Sequence, residues 1–122
     1  MVPLVKHNQL EIILYVQDMN SEVRFYRDVL GLPLKYPQGL SDYADQMWVE
    51  FDLGTTTLAL HGGADEAPDT LHDLVFWVEN VARAREMIIA AGINMAEIRE
   101  LEDGAPIAEG EDPAGHRFAI RS

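Results

Sequence analysis

The side chains best suited to ligand chemistry alternate with apolar residues along short strand-like segments. Three of them are large aromatic residues, Tyr15, Trp48 and Trp77. Successive side chains of a β-strand point to opposite faces, so these rings lie opposite the apolar faces of their strands. Aromatic rings on such a face can form the floor of a site for a flat or cationic ligand. The same faces could instead pack against a second subunit, and both arrangements can hold in one protein.

Polar residues share these faces with the aromatic ones. They are Glu11, Glu50, Asp52, His61, Asp73, Arg117 and Arg121. His61 could act as a general base, because histidine changes its charge near neutral pH. Its place at a strand end before Gly62-Gly63 favours the simpler interpretation of an exposed histidine. We expect His72 and His116 at the surface, since each flanks the start of a predicted strand beside a turn.

The composition indicates one folded domain with a core, because 48% of the 122 residues are hydrophobic. The net charge of −12 repels nucleic acid phosphates and would attract a cationic ligand, although it also simply favours solubility. There is no cysteine, and no apolar run approaches the roughly 20 residues that a membrane-spanning helix needs. With no signal sequence apparent, we expect a cytoplasmic protein that binds neither nucleic acid nor membranes.

The elements that position these residues occur twice along the chain. Residues 10–36 predict a strand, a helix and a second strand, and residues 71–95 repeat this pattern more weakly. The matching pairs, 62 positions apart, are Glu11 and Asp73, Val16 and Val78, and Asp18 and Asn80. The chain therefore predicts a first βαβββ module over 10–61, a linker over 62–70 and a second βαβββ module over 71–122.

Turn and capping residues set the boundaries of the predicted elements. Asp18 or Asn20 can cap the first helix, and Gly31 and Gly92 end the two helices. The predicted strands cover 11–17, 34–37, 47–53 and 56–61 in the first module, and 71–79, 94–99, 106–111 and 116–121 in the second. Loops are expected over 38–46 and 100–105, and a tight turn over 112–115.

Two motifs resemble a known family. They are FYRDVLGLPL at 25–34, after a strand that ends in Val16-Gln17-Asp18, and DPAGHRFAI at 112–120. With the internal repeat they resemble the vicinal oxygen chelate superfamily, which includes glyoxalase I, extradiol dioxygenases, fosfomycin-resistance enzymes and bleomycin-resistance proteins. The resemblance implies an α+β fold of two tandem βαβββ modules whose mixed sheets curl around a cleft. It also implies a homodimer, because many small members build their clefts at a dimer interface.

The resemblance also locates the positions that bind a metal ion in the metal-dependent members. These positions fall on Glu11, Asp73 and Ala119, with a fourth on Ala59 or His61. Alanine cannot bind a metal, so the candidate ligands that remain are Glu11, Asp73 and His61, which suit Mn, Fe, Ni or Zn. We favour the alternative that Glu11 and Asp73 pair with Arg117 or Arg121 and that no cofactor is bound.

Three functions are compatible with these residues. The first is a binding protein that holds a small aromatic or cationic ligand in an acidic cleft without a catalytic metal. Its expected contacts are Tyr15, Trp48, Glu50, His61, Trp77, Arg117 and Arg121. The second is an enzyme, a divalent-metal-dependent lyase or dioxygenase that chelates two vicinal oxygens of its substrate. The third is a regulatory or structural dimer that binds no small ligand. Whether the protein is catalytic stays open at this point.

Overall fold

The computed structural model describes residue 6, residues 8–67 and residues 74–122. These residues belong to two compact units that divide between Glu66 and Ala67, inside the predicted linker. Each unit contains one four-stranded mixed sheet and one helical region. The βαβββ order is present in both units, which confirms the predicted α+β fold class.

The first unit contains β1 (Leu10–Tyr15), α1 (Met19–Val23), a π-helical segment (Arg24–Val29), β2 (Leu34–Tyr36), β3 (Trp48–Asp52) and β4 (Thr56–His61). The second contains β5 (Leu74–Trp77), α2 (Val81–Ala90), β6 (Arg99–Glu100), β7 (Pro106–Glu111) and β8 (Arg117–Arg121). The strand orders are β1-β4-β3-β2 and β5-β8-β7-β6. In each sheet the first and last strands of the module pair in parallel, and the other pairs are antiparallel.

The first helical region begins as predicted and then widens. Asp18 caps α1, because its Oδ1 accepts a hydrogen bond from the backbone N–H of Ser21 at 3.3 Å. The backbone N–H of Leu30 donates to the carbonyl of Phe25 at 2.9 Å, a span of five residues that defines a π-helical turn. Consecutive aromatic residues, Phe25 and Tyr26, are both buried there, with ring centroids 4.9 Å apart. The sequence predicted a helix here, and its second part, Arg24–Val29, is π-helical.

The two faces of the first sheet differ as the alternation predicted. Leu14 and Phe51 belong to the buried face, with 2% and 0% of their surface exposed. On the opposite face, Ile13 and Tyr15 remain 41% and 57% exposed. Burial of the alternate apolar positions therefore orients the polar and aromatic side chains of β1, β3 and β4 to the other side.

The predicted loop over 38–46 is hydrogen-bonded to the first helical region. The Asn20 side chain donates to Asp42 Oδ1 at 2.8 Å and accepts from the backbone N–H of Tyr43 at 2.8 Å. The backbone N–H of Ala44 also donates to Asp42 Oδ1, at 2.9 Å. The donation from Ala44, with that from Asn20, lowers the pKa of the Asp42 carboxyl. The buried Tyr43 hydroxyl donates to the carbonyl of Pro37 at 3.0 Å and fixes the start of the loop.

Asn20→Ala is expected to loosen this loop and to lower the free energy of unfolding by about 1–2 kcal/mol, since two hydrogen bonds are lost. Hydrogen exchange at Tyr43 and Ala44 should accelerate with little change in the strands. The contribution of the Asp42 carboxylate is present above its unfolded pKa and is lost as the pH falls through the lowered folded pKa. Gln38→Ala is the control, because the exposed Gln38 side chain makes one hydrogen bond, to Leu34. Equal exchange rates in the two variants would contradict the role of Asn20.

The predicted edge strand over 94–99 is wrong for most of its length. Only Arg99 belongs to a strand, and Met95 forms an isolated bridge with Gly110. Five of the six residues 94–99 are exposed, so little burial of apolar surface holds this segment against the sheet. Instead, the Arg85 side chain donates to the carbonyl of Ala96 at 2.9 Å and tethers the segment to α2.

The predicted turn over 112–115 is present, but the expectation of a surface His116 is wrong. The backbone N–H of Gly115 donates to the carbonyl of Asp112 at 2.9 Å and closes the turn. Only 6% of His116 and 4% of Asp112 are exposed. His116 Nδ1 lies 2.9 Å from Asp112 Oδ2, while Asp112 Oδ1 accepts from the backbone N–H groups of Ala114 and His116 at 3.0 and 2.8 Å. The hydrogen bond to the Asp112 carboxylate compensates for the loss of water around the buried imidazole. The spacing of the residues alone did not predict that His116 is buried.

Candidate functional site

Three ring-bearing side chains form a row across the exposed face of the first sheet. The strand registers place Tyr15 beside His61 and His61 beside Trp48, so one residue comes from each of β1, β4 and β3. The ring centroids of Tyr15 and His61 are 5.0 Å apart, and those of Trp48 and His61 are 6.0 Å apart at an angle of 87°. These three residues, the aromatic row, offer stacking surfaces and ring edges to a flat ligand.

A carboxylate lies directly beside the aromatic row. Glu50 follows Trp48 by two residues on the same face of β3, and its Oε2 accepts a hydrogen bond from Trp48 Nε1 at 2.9 Å. This bond fixes the orientation of the indole ring. It also keeps the negatively charged Glu50 side chain next to the indole ring. Tyr36 lies opposite Glu50 in the register and is 55% exposed, so it adds a second aromatic ring beside this charge. Such a combination suits a positively charged ligand.

His61 has one ring nitrogen committed to the backbone. Nδ1 lies 2.8 Å from the carbonyl oxygen of Gly62, and because a carbonyl can only accept, Nδ1 carries the hydrogen. The neutral imidazole therefore has Nε2 as its accepting nitrogen. In this form His61 can accept a hydrogen bond or a proton from a ligand on the aromatic row.

A polar pocket of about 520 Å³ lies farther along the same sheet, at the start of β1. Glu11 and Thr57, which pair in the register, contribute to its wall together with Glu50 and Lys35. Glu50 thus belongs both to the pocket and to the surroundings of Trp48. The first unit therefore presents an aromatic surface and a polar pocket, and the Glu50 carboxylate belongs to both.

The exposed face of the second sheet carries a different pair. Trp77 pairs with Arg121 between β5 and β8, in the position that corresponds to Tyr15 and His61 in the first unit. The guanidinium carbon of Arg121 lies 4.2 Å from the centre of the Trp77 ring, and Trp77 is 69% exposed. Arg117, two residues before Arg121, lies opposite Glu111. The seven residues predicted to contact a ligand thus include three in the aromatic row, Glu50 beside it, and three in the second unit.

The second unit also contains a pocket of about 570 Å³ at the edge of its sheet. Its lining comes from the segment 92–96, from Glu109 to Pro113, and from Arg117. The sequence did not predict this pocket, because the segment 94–99 was expected to pair as a strand. Gly110 is the only signal that could have indicated it, since a glycine within a strand often marks close approach of another backbone.

Comparison with known proteins identifies the family. The family model for the glyoxalase/bleomycin resistance protein/dioxygenase superfamily matches residues 8–120. The chain belongs to this superfamily. No curated protein sequence matches the chain.

Solved structures with low sequence identity share the superfamily fold. TnmS3, an antibiotic-binding protein from Streptomyces sp. CB03234, is 18% identical with a TM-score of 0.75, over 98% of each chain. Lactoylglutathione lyase from Agrobacterium tumefaciens is 19% identical with a TM-score of 0.71, over 98% of this chain and 93% of the lyase. The fosfomycin resistance protein FosX from Mesorhizobium loti is 17% identical with a TM-score of 0.71, over 100% of this chain and 93% of FosX. At these identities the likeness shows the fold alone. Among the described residues, no helix has the length and apolar character needed to cross a membrane.

The strand register separates two of the three candidate metal ligands. Glu11 lies beside Thr57, whereas His61 lies beside Tyr15, four residues farther along the parallel pair. Four residues of strand span about 13 Å. Two ligands of one ion lie within about 4 Å of each other, so Glu11 and His61 do not fit a shared metal site. The third candidate, Asp73, lies outside the described residues.

The register relates Ala119, where the resemblance places a metal-ligand position, to Ala59, one of the two candidates for the fourth position. In the first unit Ala59 lies between Ile13 and Glu50, and in the second unit Ala119 lies between Val75 and Glu109. Ala59 and Ala119 are therefore equivalent positions of the two modules. Both are alanine, so neither side chain can bind a metal ion, and His61 is the other candidate for the fourth position.

Proposed function

We propose that this protein binds a small aromatic or cationic molecule at the aromatic row and Glu50, without a catalytic metal. The observation that carries this proposal is the hydrogen bond from Trp48 Nε1 to Glu50 Oε2, at 2.9 Å. It holds a carboxylate against the same indole ring that a ligand would contact. A cation there gains both the attraction of the ring quadrupole and that of the carboxylate.

Two further observations support this function. The net charge of −12 raises the local concentration of cations around the protein. One solved structure with the same fold is an antibiotic-binding protein, so the fold serves binding without requiring catalysis. The metal-dependent lyase or dioxygenase alternative has less support, because the resemblance places one ligand position on Ala119 and another on Ala59 or His61, and alanine cannot bind a metal. We also propose that the protein is a homodimer, since Tyr15 and Trp77 leave 57% and 69% of their surface exposed.

The test uses the indole N–H signals of Trp48 and Trp77 in nitrogen-15 correlation spectra, assigned with Trp48→Phe and Trp77→Phe. We expect benzylamine and phenyltrimethylammonium to shift the Trp48 signal saturably, and neutral benzyl alcohol to bind more weakly. Glu50→Gln should weaken binding of the two cations by about 5- to 30-fold, the equivalent of roughly 1–2 kcal/mol.

Glu11→Gln is the matched control, because it removes an equal charge from the same sheet face, four residues along the strand register from the Trp48 position. Equal weakening by Glu11→Gln and Glu50→Gln would reduce the effect to general surface charge and contradict the proposed site. No shift of the Trp48 signal with any probe would also contradict it. Sedimentation of the same samples distinguishes ligand binding from a change in the oligomeric state.

A further inference from the structure

Arg121 is a positively charged residue on the exposed face of the second sheet. Among residues 74–122, it forms no ion pair, and its Nε is buried without a hydrogen-bond partner. This is notable in a chain with 21 acidic and only 9 basic residues. Two carboxylates of β7 lie on this face: Glu109 forms an ion pair with Arg99 at 2.6 Å, and Glu111 lies opposite Arg117.

The surroundings of Arg121 hold its guanidinium in place and limit its hydration. Trp77 lies on one side, with its ring centre 4.2 Å from the guanidinium carbon. Ile107, which is 8% exposed, lies opposite Arg121 on the other side in β7. A guanidinium that stacks on a ring keeps its N–H groups in its own plane, where they can still donate to an anion. Apolar neighbours on both sides strengthen the attraction between this charge and an anion.

We propose that this face binds a planar organic anion, an aromatic carboxylate, at Trp77 and Arg121. The carboxylate would accept paired hydrogen bonds from the guanidinium, and the ring would pack on the indole surface that Arg121 leaves exposed. The second sheet would thus bind an anion, whereas the aromatic row and Glu50 would bind a cation. This inference does not depend on the proposed function, because the two sites share no residue.

The test uses Trp48→Phe protein, in which Trp77 is the sole tryptophan and supplies the only indole N–H signal. Benzoate is the probe, and benzamide and benzylamine are its neutral and cationic counterparts of similar size. We expect benzoate to shift the Trp77 signal saturably and to bind more tightly than either counterpart. Arg121→Gln should weaken benzoate binding roughly tenfold or more, as expected for loss of a charge-assisted pair. Arg121→Lys should recover only part of the affinity, since lysine lacks the planar fork.

Arg117→Gln is the control variant, because Arg117 is on the same strand and face as Arg121 but lies opposite Glu111. It should leave benzoate binding nearly unchanged. Equal affinity for benzoate and benzamide, or equal weakening by Arg117→Gln and Arg121→Gln, would overturn the proposal. If benzoate does not bind at Trp77 and Arg121, the response of the Trp48 signal to benzylamine and its dependence on Glu50 are unaffected. Each proposal can therefore be contradicted without the other. Thermal denaturation of each variant confirms that it is folded.

Discussion

Asp112→Ala is expected to lower the free energy of unfolding by about 3–5 kcal/mol, a large part of the stability of a small protein. The side chain of Asp112 is fully buried and serves three donors at once. Its Oδ1 accepts from the backbone N–H groups of Ala114 and His116, and its Oδ2 pairs with His116 Nδ1 at 2.9 Å. Alanine leaves these groups without their acceptor, and a buried unsatisfied donor costs about 1–3 kcal/mol.

Thermal and urea denaturation measure this loss. Asp112→Asn should cost less than Asp112→Ala, because one oxygen still accepts from the turn and a neutral histidine can accept from the amide. Asp103→Ala is the matched control, since Asp103 accepts one backbone N–H, from Ala105 at 3.0 Å, in an exposed turn of the same unit. Asp103→Ala should cost under about 1 kcal/mol. Equal stability of the Asp112→Ala and Asp103→Ala variants would show that the buried pair is not a major contribution.

Gly110→Ala has the second large effect, and we expect it to cost about 1–3 kcal/mol through overpacking. A Cβ at this position would lie 2.5 Å from Met95 Sδ and 2.9 Å from the carbonyl oxygen of Asn94. The sulfur can move, but the carbonyl belongs to the backbone that passes along β7. The segment 94–96 must therefore shift outward, which should accelerate hydrogen exchange at Ala96, whose N–H donates to the carbonyl of Glu109 at 2.8 Å.

A double-mutant cycle separates these two contacts. Met95→Ala in the Gly110→Ala background should restore part of the lost stability, because it removes the side-chain conflict and retains the backbone one. Gly104→Ala is the comparison variant, since no atom lies within 4 Å of a Cβ there and the cost reflects only its positive φ of 85°. If exchange at Ala96 does not change in Gly110→Ala, the close approach of the two backbones is not what requires glycine.

The sequence by itself determined the parts of this protein that depend on neighbouring residues. The alternation in 56–61 and the turn before 116–121 gave the observed bounds of β4 and nearly those of β8. Asp18, one of the two predicted candidates, caps the first helix, and Asn80, its counterpart in the repeat, caps the second through the N–H of Arg83. Strand periodicity and helix capping act within a few residues, so one sequence is enough to recognise them. The motifs around them were enough to indicate the superfamily.

Tertiary structure decided which side chains meet. The parallel register of β1 and β4 joins Tyr15 to His61 and separates Glu11 from His61, although all three were predicted on one face. Strand register depends on pairing between segments far apart in the chain, and alternation does not encode it. His116 is buried beside Asp112, although the spacing of these two residues indicated a surface turn. Strand register likewise places Arg121 beside Trp77, because β5 and β8 are far apart in the chain and pair in parallel. The local sequence therefore predicted which face of a sheet each residue occupies. The pairing of strands that are far apart in the chain determined which of these residues lie together in a site.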